Sequence, residues 1–332
     1  MSGNGAIATQ RLRRLRWAQT YLRGGPVAIT WDLSPCGIAN GCLVCDQEGG
    51  LGGEWATRPT CGRVISELSR FGTLVVGLVG GRDPFLHPDL AAIVKELVRA
   101  HLPVVVSSGW GVTVERAKEV WDAGLVEAAI ALHTADPTRH DAEVGWPGAH
   151  ARALRALRVL AETRRHTWQR VSASVTLGAE GASGVAAVLD LVEGLGASVI
   201  VEPPFGRHGH STPGGVGSQL TQLRRQRGML RNSAAYLARI DQAMSDGVSG
   251  CKAGRRSLHL DQRGRVFRCM DLAGAANVLG DIVSESVDSI LPRLRRGADC
   301  DGCRECWRAV RGEVECLGTW RGLWSLSSWL WS

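Results

Sequence analysis

The chain has 332 residues, 44% hydrophobic and 21% charged, with a formal net charge of +7. That composition excludes a disordered tail or a miniprotein and supplies enough apolar material for one large core or two smaller ones. No apolar run reaches the roughly 20 residues of a membrane span. The N-terminal "MSGNGAIATQRLRRLRW" has no apolar h-region, so a cytoplasmic protein is expected.

Residues 1–26 read as a basic N-terminal extension, a helix packed on or fraying from the rest of the fold. Its run Arg11 to Arg16, like Arg224 to Arg227 and Arg293 to Arg296, reads as a solvated helix face, and a nucleic-acid partner is not expected. The next run, "VAIT", predicts a buried strand and leads into "WDLSPCGIANGCLVC", which places Cys36, Cys42 and Cys45 at C-x5-C-x2-C. Cytosolic thiols are kept reduced, so ten cysteines in one chain point to metal or redox chemistry before disulfides. Three thiolates suit a zinc lacking one protein ligand, or a 4Fe-4S cluster with one iron left open; spacing alone does not separate them.

Downstream, "LVVGLVGG", "PVVVSS", "VEAAIAL", "VSASVTL" and "ASVIVEP" are further short apolar runs that predict buried strands. Between the strands lie amphipathic stretches such as "DLAAIVKELVRAH" and "HARALRALRVLAETRRH", with Thr113 and the Pro88-Asp89 pair as helix starts and Gly124 and Gly194 as helix ends. Six β/α units in series predict an α/β fold with a parallel sheet, as a full or partial barrel or doubly wound. Either form puts chemistry at the carboxyl ends of the strands. The Pro/Gly-rich "PPFGRHGHSTPGGVGSQL" would line the substrate mouth, with Arg207, His208 and His210 as contacts, or form a plain surface loop. Between Cys251 and Cys269, "SLHL", "DQRGR" and "VF" predict a β-hairpin. Cys300, Cys303, Cys306 and Cys316 follow, and the tail carries Trp320, Trp324, Trp329 and Trp331 at a spacing that suits docking into a core.

Over about residues 27–205 the ordered motifs resemble the radical S-adenosylmethionine (radical SAM) superfamily: a cysteine triad after strand one, "GLVGGRDPFLHPDL" after strand two, then "VVVSSGWG" and "AIALHTADPTRHD". The resemblance implies a partial (β/α)6 TIM-type barrel. In it Cys36, Cys42 and Cys45 bind three irons of a 4Fe-4S cluster, and the amine and carboxylate of S-adenosylmethionine (SAM) chelate the fourth. It assigns Gly80 and Gly81 to close backbone approach to the SAM amine and Asp83 to accepting hydrogen bonds from it. Ser107 and Ser108 are placed near the cofactor, and His133, Thr134 and Thr176 on its ribose and carboxylate side. The chain departs from the family in three ways: two extra residues in the first cysteine gap, Val44 where an aromatic commonly touches the adenine, and Arg82 inserted before the acid.

The C-terminal cysteines resemble the auxiliary-cluster domains called SPASM and, in shortened form, Twitch, although six are present where the full pattern has seven. The resemblance implies at least one auxiliary 4Fe-4S cluster on Cys251, Cys269, Cys300 and Cys303, with Cys306 and Cys316 completing a second site or substituting in the first. A zinc knuckle is the plainer alternative. The expected organisation is barrel core 27–205, loop and helical connection 206–248, auxiliary domain 249–318 and Trp-rich tail 319–332. The expected activity is reductive cleavage of SAM to a 5'-deoxyadenosyl radical that abstracts hydrogen from a peptide or a small molecule. Electrons would come from a donor such as flavodoxin or ferredoxin. A radical dehydrogenase of a sugar or aminocyclitol is the rival enzyme, and a zinc-stapled binding or regulatory protein the rival from another class. Cys61 reads as a structural thiol.

Overall fold

The structure is a computed structural model that describes residues 3–34, 54–204, 214–248, 250–270, 275–295 and 309–316. Helix α1 (Gly3–Leu22) leads to β1 (Ala28–Asp32), and α2 (Arg58–Leu68) precedes β2 (Val75–Val79). A 3-10 turn (Pro84–Leu86) follows, then α3 (Leu90–Leu97), β3 (Leu102–Ser107), α4 (Val114–Asp122), β4 (Glu127–Ala131), α5 (Pro137–Val144), α6 (Ala149–Thr163), β5 (Arg170–Thr176), α7 (Gly181–Glu193) and β6 (Ser198–Glu202). Helices α8 (Val216–Gln226), α9 (Ala234–Leu237) and α10 (Ile240–Ser245) connect to β7 (Ser257–Leu260), β8 (Arg265–Phe267) and β9 (Gly280–Asp281), and α11 (Val287–Arg295) and α12 (Ala309–Cys316) follow.

Among the described residues the sheet order is β6-β5-β4-β3-β2-β1-β7-β8-β9. Strands β1 to β6 pair in parallel with their sequence neighbours, which is the (β/α)6 order of a partial barrel. The expected hairpin is present as β7 and β8. It joins the same sheet, because β7 pairs in parallel with β1, opposing Thr30 with His259.

Local chemistry explains the helix starts. Thr113 accepts the Arg116 amide and Asp136 the Arg139 amide, each satisfying a donor with no partner inside the helix. Alternation then sorts the strand residues into two faces. Ile29, Trp31, Val76, Leu78, Val171, Ala173, Val199 and Val201 join the buried core against the helices. The opposite face carries Asp32, Glu127, Ser172, Ser198, Glu202 and His259, so the inner surface is small and polar by comparison.

A second cluster lies at the amino ends of the strands, where Trp17 and Tyr21 of α1 pack with Val27, Ala28, Val75, Leu102 and Val126. The N-terminal helix is thus docked, with the Trp17 indole donating to Val27 O at 2.9 Å. Helix α12 begins where Glu202 accepts the Ala309 amide at 2.9 Å, at the carboxyl end of β6, and its Val314 belongs to the amino-end cluster. It therefore links the Glu202 side chain to the amino-end cluster. No helix among the described residues is long and apolar enough to cross a membrane.

Candidate functional site

Residues that the sequence reading placed at a cofactor gather at the carboxyl ends of β2 to β5. Asp83, separated from the Gly80-Gly81 pair by Arg82, is buried and joins two loops. Its Oδ2 accepts the hydroxyls of Ser107 at 2.6 Å and Ser108 at 3.0 Å and the Trp110 amide at 2.8 Å, while Oδ1 accepts the Phe85 amide at 2.9 Å. A carboxylate with four donors is a strong tie, because hydrogen bonds to a charged acceptor are roughly twice as strong as neutral ones. Two glycines permit the loop after β3 to close on it. A Cβ at Gly111 would stand 2.5 Å from the Phe85 carbonyl carbon, and one at Gly109 2.9 Å from the Ala156 Cβ. Trp110 is left on the rim at 40% exposure, with the Arg152 guanidinium 3.4 Å over its ring and Trp146 edge-on at 4.9 Å.

His133 and Thr176 meet at the ends of β4 and β5, where His133 Nδ1 accepts the Thr176 amide at 3.3 Å. The His133 amide donates to His140 Nδ1 at 3.2 Å, and the His140 ring lies 5.5 Å from His133 and 5.7 Å from His150. Burial, with His150 close by, pushes His140 down to about 4, so it is neutral in ordinary buffer. Thr134 accepts the Asp136 amide at 3.2 Å in the turn before α5.

Cys36, Cys42 and Cys45 lie outside the described residues, as do Cys300, Cys303, Cys306, Arg207, His208, His210 and the four tail tryptophans. What the structure shows is the frame on either side of the first triad. Ser34 Oγ accepts the Arg82 amide at 3.1 Å and donates to Arg82 O at 3.2 Å. A Cβ on Gly80 would stand 2.7 Å from that Ser34 Oγ, so the absence of a side chain there lets the two loops touch. Cys251 follows α10, with Sγ accepting the Ala253 amide at 3.4 Å; Cys269 closes the hairpin, and Cys316 ends α12, 3.8 Å from Arg239 Nη1. Among the described residues no three His, Cys, Asp or Glu side chains form a metal-holding group. Cys61 is buried and points at Ala56 O at 3.8 Å, and burial pushes its thiol up to about 12, which fits a structural thiol.

No family model matches the chain. It is 30% identical over 141 residues to a PqqA peptide cyclase of Rhodopseudomonas palustris, covering 41% of this chain and 36% of that protein. It is 34% identical over 91 residues to a PqqA peptide cyclase of Methylocella silvestris, covering 27% and 24%. The matched segments thus span about a third or less of those relatives. The fold is shared with Streptococcus suis SuiB bound to precursor peptide SuiA, at TM-score 0.65, 11% identity, 81% of this chain and 65% of that one. It is shared also with anSMEcpe bound to AdoMet and the Cp18Cys peptide, at TM-score 0.63, 10% identity, 92% and 96%. These similarities agree with the resemblance of the sequence motifs to the radical SAM superfamily.

The sequence motifs and the strand ends coincide, but sequence reasoning missed the residues that tie them together. Ser34, Trp55 and His87 carried no motif of their own, and Trp110 stood only as part of "SSGWG". The one available signal was His87 inside "FLHPDL": a polar ring in an otherwise apolar stretch, next to a helix start.

Proposed function

We propose that the chain is a radical SAM enzyme that modifies a peptide, with Cys36, Cys42 and Cys45 holding a SAM-binding 4Fe-4S cluster. The observation that carries the reading is the knot of Asp83 with Ser107, Ser108 and Trp110, built beside the neck of the cysteine loop at the carboxyl ends of the strands. The residues fit the group. Three thiols of a 4Fe-4S site leave one iron free for SAM, and Gly80 lacks the Cβ that would push the two loops apart. A carboxylate offers about four lone-pair sites over two oxygens, and the contacts fall three on Asp83 Oδ2 and one on Oδ1, which leaves Oδ1 capacity for the SAM amine.

When bound, cluster and SAM supply a 5'-deoxyadenosyl radical that removes a hydrogen atom from substrate. The chain's own residues bind, orient and shield. Asp83 keeps the loops after β2 and β3 at a fixed separation, Ser107 and Ser108 present hydroxyls on the same side, and His133 fixes the end of β5 against β4. Cys251, Cys269, Cys300 and Cys303 would hold an auxiliary 4Fe-4S cluster, with Cys306 and Cys316 as further ligands. Support for a peptide substrate comes from the relatives, which include PqqA peptide cyclases and SuiB in complex with its precursor peptide. Reconstitution with iron and sulfide under argon, followed by SAM and dithionite, tests the reading. 5'-Deoxyadenosine is expected, and a colourless protein holding stoichiometric zinc and forming none would refute it.

A further inference from the structure

Cys36, Cys42 and Cys45 lie between Ser34 and Trp55, and the described residues on both sides of that stretch end on one short segment. On the outgoing arm the Leu33 amide donates to Val79 O at 2.8 Å, and the Ser34 hydroxyl is bonded to both the amide and the carbonyl of Arg82. On the returning arm the Ala56 amide donates to Leu33 O at 2.8 Å, which closes the neck. The Ala56 carbonyl then faces His87 Nε2 at 3.0 Å, across 31 residues of sequence. His87 Nδ1 accepts the Asp89 amide at 3.0 Å, so its proton sits on Nε2 and is donated to Ala56 O. Trp55 stands edge-on against the same ring at 5.1 Å, and Arg82 lies over Trp55 at 5.8 Å.

His87 is 1% exposed, and burying an imidazole is costly unless its nitrogens are engaged. A leucine would fill the space without that cost. What leucine lacks is one donor and one acceptor, about 2 Å apart on one rigid ring, matched to two backbone groups on different segments. The ring therefore fastens the returning arm of the cysteine loop to the segment that holds Asp83, and Ser34 fastens the outgoing arm to the same segment.

We propose that His87 is a positioning residue for the SAM-binding cluster: by clasping Ala56 it sets the placement of the cysteine loop against Gly80 to Asp83 before any cluster is present. This deepens the proposed function and rests on it. The clasp acts through the loop, and His87 itself touches neither cluster nor SAM.

The test uses three variants of the full chain. His87→Leu removes both hydrogen bonds, His87→Asn keeps an acceptor near the Nδ1 position only, and His87→Gln carries an N–H to the Nε2 position. In cluster-free protein, hydrogen exchange over residues 54–57 is expected to quicken about five- to tenfold in the Leu and Asn variants, as suits loss of one buried hydrogen bond. It should stay near wild type in the Gln variant, with β1 to β6 unchanged in all. After reconstitution with iron and sulfide, the Leu and Asn variants should lose the reduced-cluster EPR signal that shifts on adding SAM several times faster under chelator, again with rescue by Gln. Unchanged exchange and chelator resistance in His87→Leu, or a Gln variant that behaves like Leu, would overturn the proposal. A wild-type protein that binds iron nowhere would instead overturn the proposed function, while the exchange result still judges the clasp.

Discussion

The Asp83 carboxylate and the Ser107 hydroxyl lie 2.6 Å apart, both buried, 24 residues distant in sequence. This bond joins the turn after β2 to the end of β3 and makes Asp83 both a candidate SAM contact and a structural tie. The two roles predict different things for different substitutions.

Asp83→Ala removes the acceptor and leaves the Ser107 and Ser108 hydroxyls and two amides without their partner. If Asp83 also receives the SAM amine, SAM affinity should fall about 10- to 150-fold, the equivalent of roughly 1.5–3 kcal/mol for a charged hydrogen bond. The melting temperature should fall as well. Titration calorimetry and a thermal scan check both. The double variant Ser107→Ala/Ser108→Ala should lower stability while costing much less SAM affinity; if it costs as much, the amine contact belongs elsewhere.

Replacing Cys36, Cys42 and Cys45 together with alanine should abolish 5'-deoxyadenosine formation, since a cube without its three protein thiolates has no holder here. Chromatography after dithionite reduction checks this, and iron assay should show the C-terminal iron retained.

The C-terminal thiols predict the converse. Changing Cys251, Cys269, Cys300 and Cys303 to alanine should remove about four irons, the content of one 4Fe-4S cluster. Substrate-free cleavage of SAM at the barrel should persist. Retention of full iron would assign these cysteines a different role.

Stability should depend on pH through two buried groups of opposite sign. Glu313 in α12 accepts the Ser233 amide at 2.8 Å, and burial pushes its carboxyl up from 4.5 to about 7, against the pull of Arg224 and Arg231. The folded state holds that proton more tightly, so the contribution is whole below about 4.5 and is lost as pH rises through about 7. Glu313→Gln should therefore stabilise relative to wild type at pH 8 and matter little at pH 5. His140 is pushed down from 6.5 to about 4, so its contribution is whole above 6.5 and is lost as pH falls through 4. His140→Asn, which keeps an acceptor for the His133 amide, should flatten that acid limb. Urea unfolding at four pH values measures both.

The β/α rhythm is legible in the sequence because each strand is a short apolar run buried against helices, and some helix starts carry their own donor-satisfying residue, as Thr113 and Asp136 do. The order of cysteine triad, Gly-Gly-acid-Pro motif and paired serines is legible for the same local reason, and so is the hairpin between Cys251 and Cys269. The sequence by itself therefore determined the element order and the residue types at the strand ends. Only the tertiary structure decided which of them touch. That Asp83 meets Ser107, that Ser34 meets Arg82 and that His87 holds Ala56 depends on contacts 24 to 48 residues apart. It decided likewise that β7 would pair with β1 and that α12 would run from Glu202 to the amino-end cluster. Such contacts leave no periodic trace, because a hydrogen bond between distant segments is set by strand order and loop closure and not by the spacing of residues along the chain.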